Sequence, residues 1–532
     1  MKKGTCYLLI VALILLLTAC TSPQSTLSGN GKDGGSSSQA DENADTAENA
    51  KPQPGGTLVI SDLSGAQKLD PHTVTGAAGI HYLENMYNTL FDYKEGTYGE
   101  LEGELVKDYE VSEDGLTYTF TLHDNVKFHN GDPLTSEDVK YSINRIKKLK
   151  VRASQFSMVK SIETPSDTKV VITLKQKTAP FLTFLANPVN AIVNKTVVEA
   201  NGGSLDAADG GSGPFKMVEW TKGNQLVLAK FDDYFVEGKP YLDKVIWKNI
   251  PDATARNTAL RNGEININLQ LTPKDVKLLK KADGVKVDSV TGSYWEYIGL
   301  NVKHGPLKKK KVRQAIAWAV DREALNKVVK FGQAEPLTNG PIPPGHWAHS
   351  DEAVYPKQNI DKAKQLLKEA GYPDGVDLQM IVSPNESQVN AAQVIKQQVK
   401  EAGINIEVKQ LESSVFFNKL GKHDFQMAVV GWVGFVDPDE FLYNIFHTRG
   451  QYNQQDYSNP KVDALLEKGR TTLDREKRKE IYAKAQKIIA QDAPMVFLYA
   501  NTQSSGLTEN VHGFDVNPTV STKSLVNTWL SK

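Results

Sequence analysis

The sequence has almost no cysteine. Of its 532 residues only Cys6 and Cys20 are cysteines, and both fall within the first twenty positions. The rest of the chain therefore has no disulfide of its own, no thiolate nucleophile and no cysteine metal ligand. Disulfide scaffolds and cysteine-dependent enzymes are excluded for the body of the protein.

An excess of charge of either sign is also missing. Lys and Arg number 62 against 63 Asp and Glu, which gives a formal net charge of −1 at pH 7. No overall field exists to gather an anionic polymer, so we expect no nucleic-acid partner. Hydrophobic residues make up 40% and charged residues 23%, a composition typical of a globular chain.

Motifs of the common enzyme classes are lacking too. We find no nucleophile elbow, no His-Glu-x-x-His zinc motif and no dinucleotide-binding glycine pattern in a suitable context. The glycine cluster at residues 210–213 lacks the Lys-Ser/Thr pair that ends a phosphate loop, which favours a turn. Enzymatic chemistry therefore has no visible carrier. We expect no catalytic residue, cofactor or metal, and an extracellular hydrolase is only a remote alternative.

The one long hydrophobic run lies at the N-terminus. Lys2 and Lys3 precede an aliphatic stretch over residues 7–17, too short to span a bilayer comfortably. Residues 1–19 are therefore predicted to be a signal peptide. The stretch ends Leu-Thr-Ala-Cys, which resembles the lipobox of bacterial lipoproteins and implies acylation of Cys20. The alternative is an ordinary secretion signal with an incidental cysteine.

Residues 21–54 consist of small and polar side chains with almost no apolar residue. Such a segment buries too little surface to offset its ordering entropy. We expect residues 20–54 to be a lipidated cysteine and a disordered tether, which would hold the body at the extracytoplasmic face of a bacterial membrane.

From residue 55 onward, local patterns alternate between strand and helix. The stretch Thr-Leu-Val-Ile at 57–60 and the alternating apolar residues at 118, 120 and 122 predict strands. Thr135 followed by Asp138 predicts a helix with a capping box. Residues 388–402 are predicted to be helical. The nearly unbroken apolar run over 425–432 predicts a strand buried on both faces. The class is mixed α/β.

The most informative segment is Gly-Trp-Val-Gly-Phe-Val-Asp-Pro-Asp-Glu at residues 431–440. Two glycines at a strand end permit another backbone to approach, and Trp432 offers a flat apolar wall. Ligands of open α/β sheets bind beyond such strand ends, although Trp432 as a plain core residue is the alternative. The acidic part has a structural explanation, with Asp437 as N-cap, Pro438 at the first helical position and Glu440 completing a capping box.

Several further stretches carry a family resemblance when taken in order. They are FHNGDPLTSEDV at 128–139, GPFK at 213–216, YLDKV at 241–245, IPDATAR at 250–256, KVRQA at 311–315, AVDR at 319–322, PIPPG at 341–345 and AKQLLKEAG at 363–371. Together they resemble bacterial extracellular solute-binding proteins of family 5, the lipoprotein receptors of ABC importers for peptides, nickel and opines. The resemblance spans residues 55–532.

This resemblance implies an α/β, two-lobed fold of the type II periplasmic-binding-protein kind, with an extra α/β domain in the first half. By analogy, lobe I comprises residues 55–88, 197–300 and 506–532, the extra domain residues 89–196 and lobe II residues 301–505. It also implies a monomeric receptor that closes over a peptide or another small solute and delivers it to the permease subunits of an ABC transporter.

In peptide-binding members of this family the ligand lies as an added strand paired with receptor strands. The positions of this sequence that match the ligand-binding segments lie in two places. They are Gly76, Ala77, Ala78 and Gly79 in one loop, and Gly431, Trp432, Val433 and Phe435 at the strand end.

Two departures weaken the picture of a free peptide held at both charged ends. Many peptide-binding members carry an aspartate at the position of Phe435, where it pairs with the ligand's ammonium group. No arginine lies between Arg322 and Arg449 to grip a carboxylate. N-blocked or longer peptides therefore gain weight, as do metal chelates, haem, opines and other small organic ligands. If another carboxylate supplies the anchor, Asp437 and Asp439 are the first candidates.

Overall fold

Strands and helices alternate along most of the chain. The computed structural model describes residues 51–63, 65–74, 79–94, 97–434 and 436–532. The α-helices are α1 (Ile80–Met86), α2 (Ser136–Leu149), α3 (Phe181–Leu185), α4 (Lys195–Ala200), α5 (Ala253–Arg261), α6 (Pro273–Leu279), α7 (Lys310–Ala319), α8 (Arg322–Val329), α9 (Ile360–Glu369), α10 (Glu386–Lys400), α11 (Ser413–Gly421), α12 (Pro438–Phe446), α13 (Pro460–Thr471) and α14 (Arg475–Asp492).

The β-strands are β1 (Thr57–Asp62), β2 (Phe91–Tyr93), β3 (Leu101–Gly103), β4 (Val106–Val111), β5 (Thr117–Leu122), β6 (Val159–Ser166), β7 (Lys169–Leu174), β8 (Phe215–Thr221), β9 (Gln225–Lys230), β10 (Lys244–Asn249), β11 (Ile267–Asn268), β12 (Val285–Leu300), β13 (Ala334–Pro336), β14 (Val376–Val382), β15 (Ile404–Gln410), β16 (Met427–Val433), β17 (Met495–Thr508), β18 (Val511–His512) and β19 (Trp529–Leu530). The mixed α/β class predicted from the sequence is confirmed.

Several local signals explain where these elements begin. Thr135 and Asp138 form the predicted capping box at the start of α2. Asn385 caps α10 by accepting from the Gln388 N–H, so this helix starts two residues earlier than its apolar periodicity indicated. The strands predicted around residues 57–60 and 118–122 are present as β1 and β5.

Eleven strands form one large sheet. Their order is β15-β14-β16-β12-β17-β11-β1-β10-β9-β8, and β13 pairs with β17 off this path. A separate four-stranded sheet has the order β4-β5-β7-β6. Residues Pro52–Lys532 form one compact unit.

Two long antiparallel strands, β12 and β17, join the two ends of the large sheet. The first half of β12 pairs with β17 from Val285↔Thr508 to Thr291↔Thr502. On its other side, β17 pairs with β11. The second half, from Tyr294 onward, pairs with β16 on its other side. The register between β12 and β17 shifts between Thr291 and Trp295. The two ends of the sheet therefore meet at an irregular point inside these strands.

The buried apolar side chains gather in separate clusters. One surrounds β1 and β10 and includes Leu58 and Trp247. Two others lie on opposite sides of the second half of β12, since one contains Ile298 and the other Trp295. A fourth cluster lies between the four-stranded sheet and α2 and includes Phe120. Each group of strands thus has its own core.

Candidate functional site

The last residues of strand β16 have a neighbouring strand on only one side. Its residues Met427–Val430 are buried, as predicted for a strand covered on both faces, but Gly431 and Trp432 are half-buried and Val433 is 37% exposed. The prediction of full burial through residue 432 is therefore wrong at the strand's last positions. The reason is that β14 pairs with β16 only through Val429, as Val382↔Val429.

The pairing on the other side of β16 fixes which backbone groups point away from the sheet. β12 pairs antiparallel to β16 with Trp295 opposite Trp432, and the Gly434 N–H donates to the Ser293 carbonyl at 3.3 Å. Hydrogen-bonded pairs alternate with non-bonded pairs in an antiparallel ladder. Trp432 and Gly434 therefore point toward β12. Gly431 and Val433 direct their N–H and C=O groups to the opposite edge, where β14 has already ended.

The two glycines of this segment make room for the protein's own aromatic rings. A side chain on Gly431 would overlap the Tyr294 hydroxyl group, and one on Gly434 would overlap the Phe441 ring. Tyr294 lies diagonally across the β12–β16 pair from Gly431, a position at which an aromatic side chain reaches its neighbour. The rings of Tyr294 and Phe441 thus occupy the space that side chains at these two positions would take.

Trp432 lies at the margin of a core cluster. Its ring centroid is 4.8 Å from that of Tyr452, and the side chain packs partly against the cluster around Trp295. The ring is half-buried. Trp432 is thus neither a fully buried core residue nor a free surface residue, and part of its face borders the free edge of β16.

The acidic segment after β16 is held by two arginines, the buried Arg478 and the half-buried Arg470. Asp437 caps α12, Pro438 occupies its first turn, and both oxygens of Asp437 accept from Arg478 at 2.8 and 3.0 Å. Asp439 forms an ion pair with Arg470 at 3.1 Å, and burial raises the pKa of its carboxyl to about 7. Both carboxylates therefore have internal partners.

The predicted capping box at this helix is wrong. Glu440 accepts a hydrogen bond at 3.1 Å from the Val436 N–H, one residue before the N-cap Asp437. Because Asp437 bonds Arg478 as well as the Asp439 N–H, the start of α12 is fixed by a tertiary contact that the local pattern does not contain.

A buried ion pair underlies the strand end, and sequence reasoning missed it. Glu296, opposite Gly431 in the sheet, accepts from the Lys330 ammonium group at 2.8 Å and from the Tyr499 hydroxyl at 3.2 Å. The Lys330 ammonium group also donates to the Ser387 hydroxyl at 2.7 Å. The one sign of this ion pair in the sequence is Glu296 itself, a charged residue inside the apolar run of β12.

A large cavity opens beside the loop that follows β16. It encloses about 1050 Å³ when the open solvent at its mouth is included. Val436 lines it from one side and the loop around Tyr98 from another. Glu84 on α1 and Lys523 near the C-terminus line it as well, so distant parts of the chain meet here. Sequence reasoning did not single out any of these residues.

The remaining predicted site residues are placed as follows. Gly79 is the N-cap of α1, with its Cα facing Val74. Gly76, Ala77, Ala78, Phe435 and the lipidation residue Cys20 lie outside the described residues.

Two features are absent from the described ranges. No helix there has the length and hydropathy needed to cross a membrane. Over the same ranges, no group of three or more His, Cys, Asp or Glu side chains is placed to hold a metal ion.

Comparison with known proteins identifies the relatives of this chain. The family model for the bacterial extracellular solute-binding proteins, family 5 Middle, matches residues 100–453. The oligopeptide-binding protein AppA of Bacillus subtilis (strain 168) is 30% identical over 552 residues, covering 98% of this chain and 98% of the relative.

Two solved structures share the fold. AppA from Bacillus subtilis in complex with a nonapeptide has a TM-score of 0.74 at 30% identity, covering 91% of this chain and 100% of that one. AgaA in complex with agropinic acid, from A.tumefacien R10, has a TM-score of 0.74 at 31% identity, covering 90% and 99%. The fold is the two-lobed α/β fold of these binding proteins, as the sequence implied. The chain belongs to the bacterial extracellular solute-binding proteins of family 5.

Proposed function

We propose that this protein is the extracytoplasmic substrate-binding receptor of an ABC importer and that it captures peptides by main-chain pairing in a cleft between two closing lobes. The observation that carries the proposal is the free edge of β16. Gly431 and Val433 direct backbone donors and acceptors away from β12, beyond the last pair with β14. An extended peptide adds to such an edge as a further strand.

The shape of the site supports an extended ligand. The edge of β16 leads toward Val436, which lines the large cavity. A peptide paired with Gly431 and Val433 therefore has space ahead of it for further residues. Trp432 contributes an apolar face beside it. Main-chain pairing reads no side chain directly, so affinity for peptides of varied sequence is expected.

The opposite wall of the cleft is proposed to include residues 76–79. Of these Gly79 begins α1, the helix that also contributes Glu84 to the cavity. Phe435 is proposed to line the cleft beside Trp432.

The division into lobes is part of the proposal. Lobe I would comprise residues 55–88, 197–300 and 506–532, the extra domain residues 89–196 and lobe II residues 301–505. Strands β12 and β17 would be shared by both lobes, and the register shift between Thr291 and Trp295 is the place where they would bend. Such strand crossings absorb hinge rotation with small changes of backbone angle.

A second candidate is a non-peptide solute on the same fold. At the position of Phe435, many peptide-binding members of the family carry an aspartate instead. The structural relative AgaA is described in complex with agropinic acid. The candidate is a small organic solute held in the cavity without main-chain pairing.

Attachment to the membrane is proposed through a lipid on Cys20, with the receptor acting as a monomer and docking on permease subunits. The lipobox-like Leu-Thr-Ala-Cys at residues 17–20 supports the anchor.

Native mass spectrometry of protein purified without denaturation tests the choice of solute. We expect additional masses that fragment as peptides. A single mass that fragments as an opine, a chelate or haem would contradict the peptide proposal and favour the second candidate.

A further inference from the structure

The charged residues that line the cavity are mostly acidic. Among the described residues that line the cavity, the carboxylates are Glu84, Asp92, Glu102 and Asp515, whereas the only ammonium group is that of Lys523. A cleft lined by charge of one sign concentrates the opposite charge. We call Glu84, Asp92 and Glu102 the acidic wall.

A second cavity lies on the other side of this wall. It encloses about 1030 Å³ including its mouth, and the acidic wall and Lys523 line it too. Glu104 and Glu237 add two more carboxylates there. The carboxylates of the acidic wall therefore line open space in two cavities. They are not confined to a surface ion-pair network.

Lys523 does not balance this charge. Its ammonium group lies 3.0 Å from Asp92 Oδ2 and 3.0 Å from Glu104 Oε2. Glu104 is further held by the side chains of Asn88 and Thr89. The ammonium group of Lys523 is thus shared by the carboxylates of Asp92 and Glu104, and these three side chains form one ion-pair group.

Glu84 has no such partner. Its side chain is on α1, only 6% of the residue is exposed, and its Oε2 accepts from the Thr522 N–H at 2.8 Å. Within the described part of the chain, no Lys, Arg or His nitrogen lies within 4.0 Å of this carboxylate. Burial raises the pKa of Glu84 to about 7 and that of Asp92 to about 6. Lys523 attracts this carboxylate only from beyond ion-pair distance, so a bound cation would offset more of the cost of its burial.

The aromatic residues of the cavity fit the same ligand chemistry. Tyr93 and Tyr98 both line it, and the face of a tyrosine ring attracts an organic cation. The Tyr98 hydroxyl is buried beside the Ser293 side chain.

We infer that the solute of this receptor carries an organic cation, an amine or guanidinium group, which binds against the acidic wall of Glu84, Asp92 and Glu102. The inference rests on the proposed function, because it places the solute in the cleft. It also moves the cation away from Asp437 and Asp439, whose carboxylates are paired with Arg478 and Arg470. The wall thereby selects cationic solutes over neutral and acidic ones.

The test uses a randomised pentapeptide mixture in three equal pools, each with its own isotope label. One pool is unmodified, one is acetylated only at the N-terminus, and one is acetylated at every amine. The pools compete for the mature protein, and the bound peptides are released and quantified. We expect lysine-containing peptides of the first two pools to exceed their fully acetylated counterparts by at least tenfold. If only the first pool is enriched, the N-terminal amine is the cation that the wall binds.

Two variants assign the preference to the wall. Glu84→Gln keeps an acceptor for the Thr522 N–H, and Glu102→Gln changes an exposed side chain. Together they should reduce the enrichment to less than threefold, and Glu102→Gln alone should reduce it measurably if the double variant is poorly folded. Glu110→Gln, an exposed strand residue outside both cavities, is the matched control and should keep the full enrichment.

The outcomes separate the two proposals. Equal binding of all pools would overturn the cation inference and leave peptide capture standing, and unchanged enrichment in the double variant would overturn the assignment to this wall. If no pool binds, peptide capture fails. Thermal unfolding with 1,5-diaminopentane against 1,5-pentanediol then decides the inference: a larger stabilisation by the diamine that is lost in Glu84→Gln/Glu102→Gln supports it, and equal shifts overturn it.

Discussion

At the scale of single residues, the buried carboxylate of Glu84 makes stability depend on pH. Desolvation raises the pKa of Glu84 from 4.5 to about 7, with Lys523, Asp92 and the groups of Ser521 and Thr522 facing it. The folded protein therefore holds this proton more tightly than the unfolded chain does. Stability contributed by this group is present at low pH and is lost as the pH rises from about 4.5 to about 7.

Replacing Glu84 by Gln should remove that loss. We expect the free energy of unfolding of Glu84→Gln to exceed that of the unmodified protein by about 1–3 kcal/mol at pH 8, and the difference to shrink toward pH 5. Urea unfolding at four pH values measures it. Parallel pH profiles for the two proteins would contradict the assignment.

Gly431 illustrates a residue whose role is set by a neighbour. An alanine there overlaps the Tyr294 side chain, which also accepts from the Gln388 amide at 3.4 Å. Gly431→Ala should therefore destabilise the protein by about 1–3 kcal/mol, a typical cost of overpacking. In a Tyr294→Ala background the same change should cost much less. Equal costs in both backgrounds, measured by denaturant unfolding, would show that the two side chains do not compete.

At the scale of secondary-structure elements, we expect changes at the end of β16 to affect peptide binding more than stability. The Val433 N–H points to the free edge and has no partner in β12. Val433→Pro removes this donor and should weaken peptide binding at least tenfold, with a change in Tm of only a few degrees. Calorimetry with a bound pentapeptide measures the affinity.

The matched control is Val433→Ala, which shortens the exposed side chain and keeps the N–H group. Its affinity should remain within about threefold of the unmodified protein. If both variants bind equally well, main-chain pairing at this position is absent.

At the scale of the whole molecule, the proposed lobe II also meets the proposed extra domain across the cleft. The rings of Tyr98 in the extra domain and His346 in lobe II have centroids 4.9 Å apart. Contacts of this kind exist only when the cleft is narrow. Saturating ligand should therefore reduce the radius of gyration in small-angle scattering. An unchanged radius with a ligand whose binding is established would argue against closure.

The lipid anchor is a second property of the whole molecule. Cys20→Ser removes the sulfur that the lipobox-like segment presents for acylation. The variant should appear in the culture medium or the soluble envelope fraction, whereas the unmodified protein stays with the membrane. Cys6→Ser is the control, because Cys6 lies inside the predicted signal peptide. Retention of Cys20→Ser at the membrane would contradict the anchor.

By itself, the sequence determined the α/β class, the family and many element starts. The capping box of Thr135 and Asp138 and the strand pattern of residues 118–122 depend on neighbours a few positions away, and both are present as predicted. The motifs also identified the family, because their residues and their order along the chain can be compared without knowing the fold. Part of the candidate site, Gly431 to Val433, followed from the same resemblance.

Only the tertiary structure decided which edge of β16 is free, why Gly431 is a glycine, and where the acidic wall lies. Glu84, Asp92, Glu102 and Lys523 come from both ends of the chain and meet at one cavity. The local pattern predicts Asp437 as a helix cap, whereas the folded chain also brings Arg478 to both of its oxygens. Local patterns report the periodicity of one element, whereas charge balance, burial and free hydrogen-bonding edges depend on which elements the folded chain brings together.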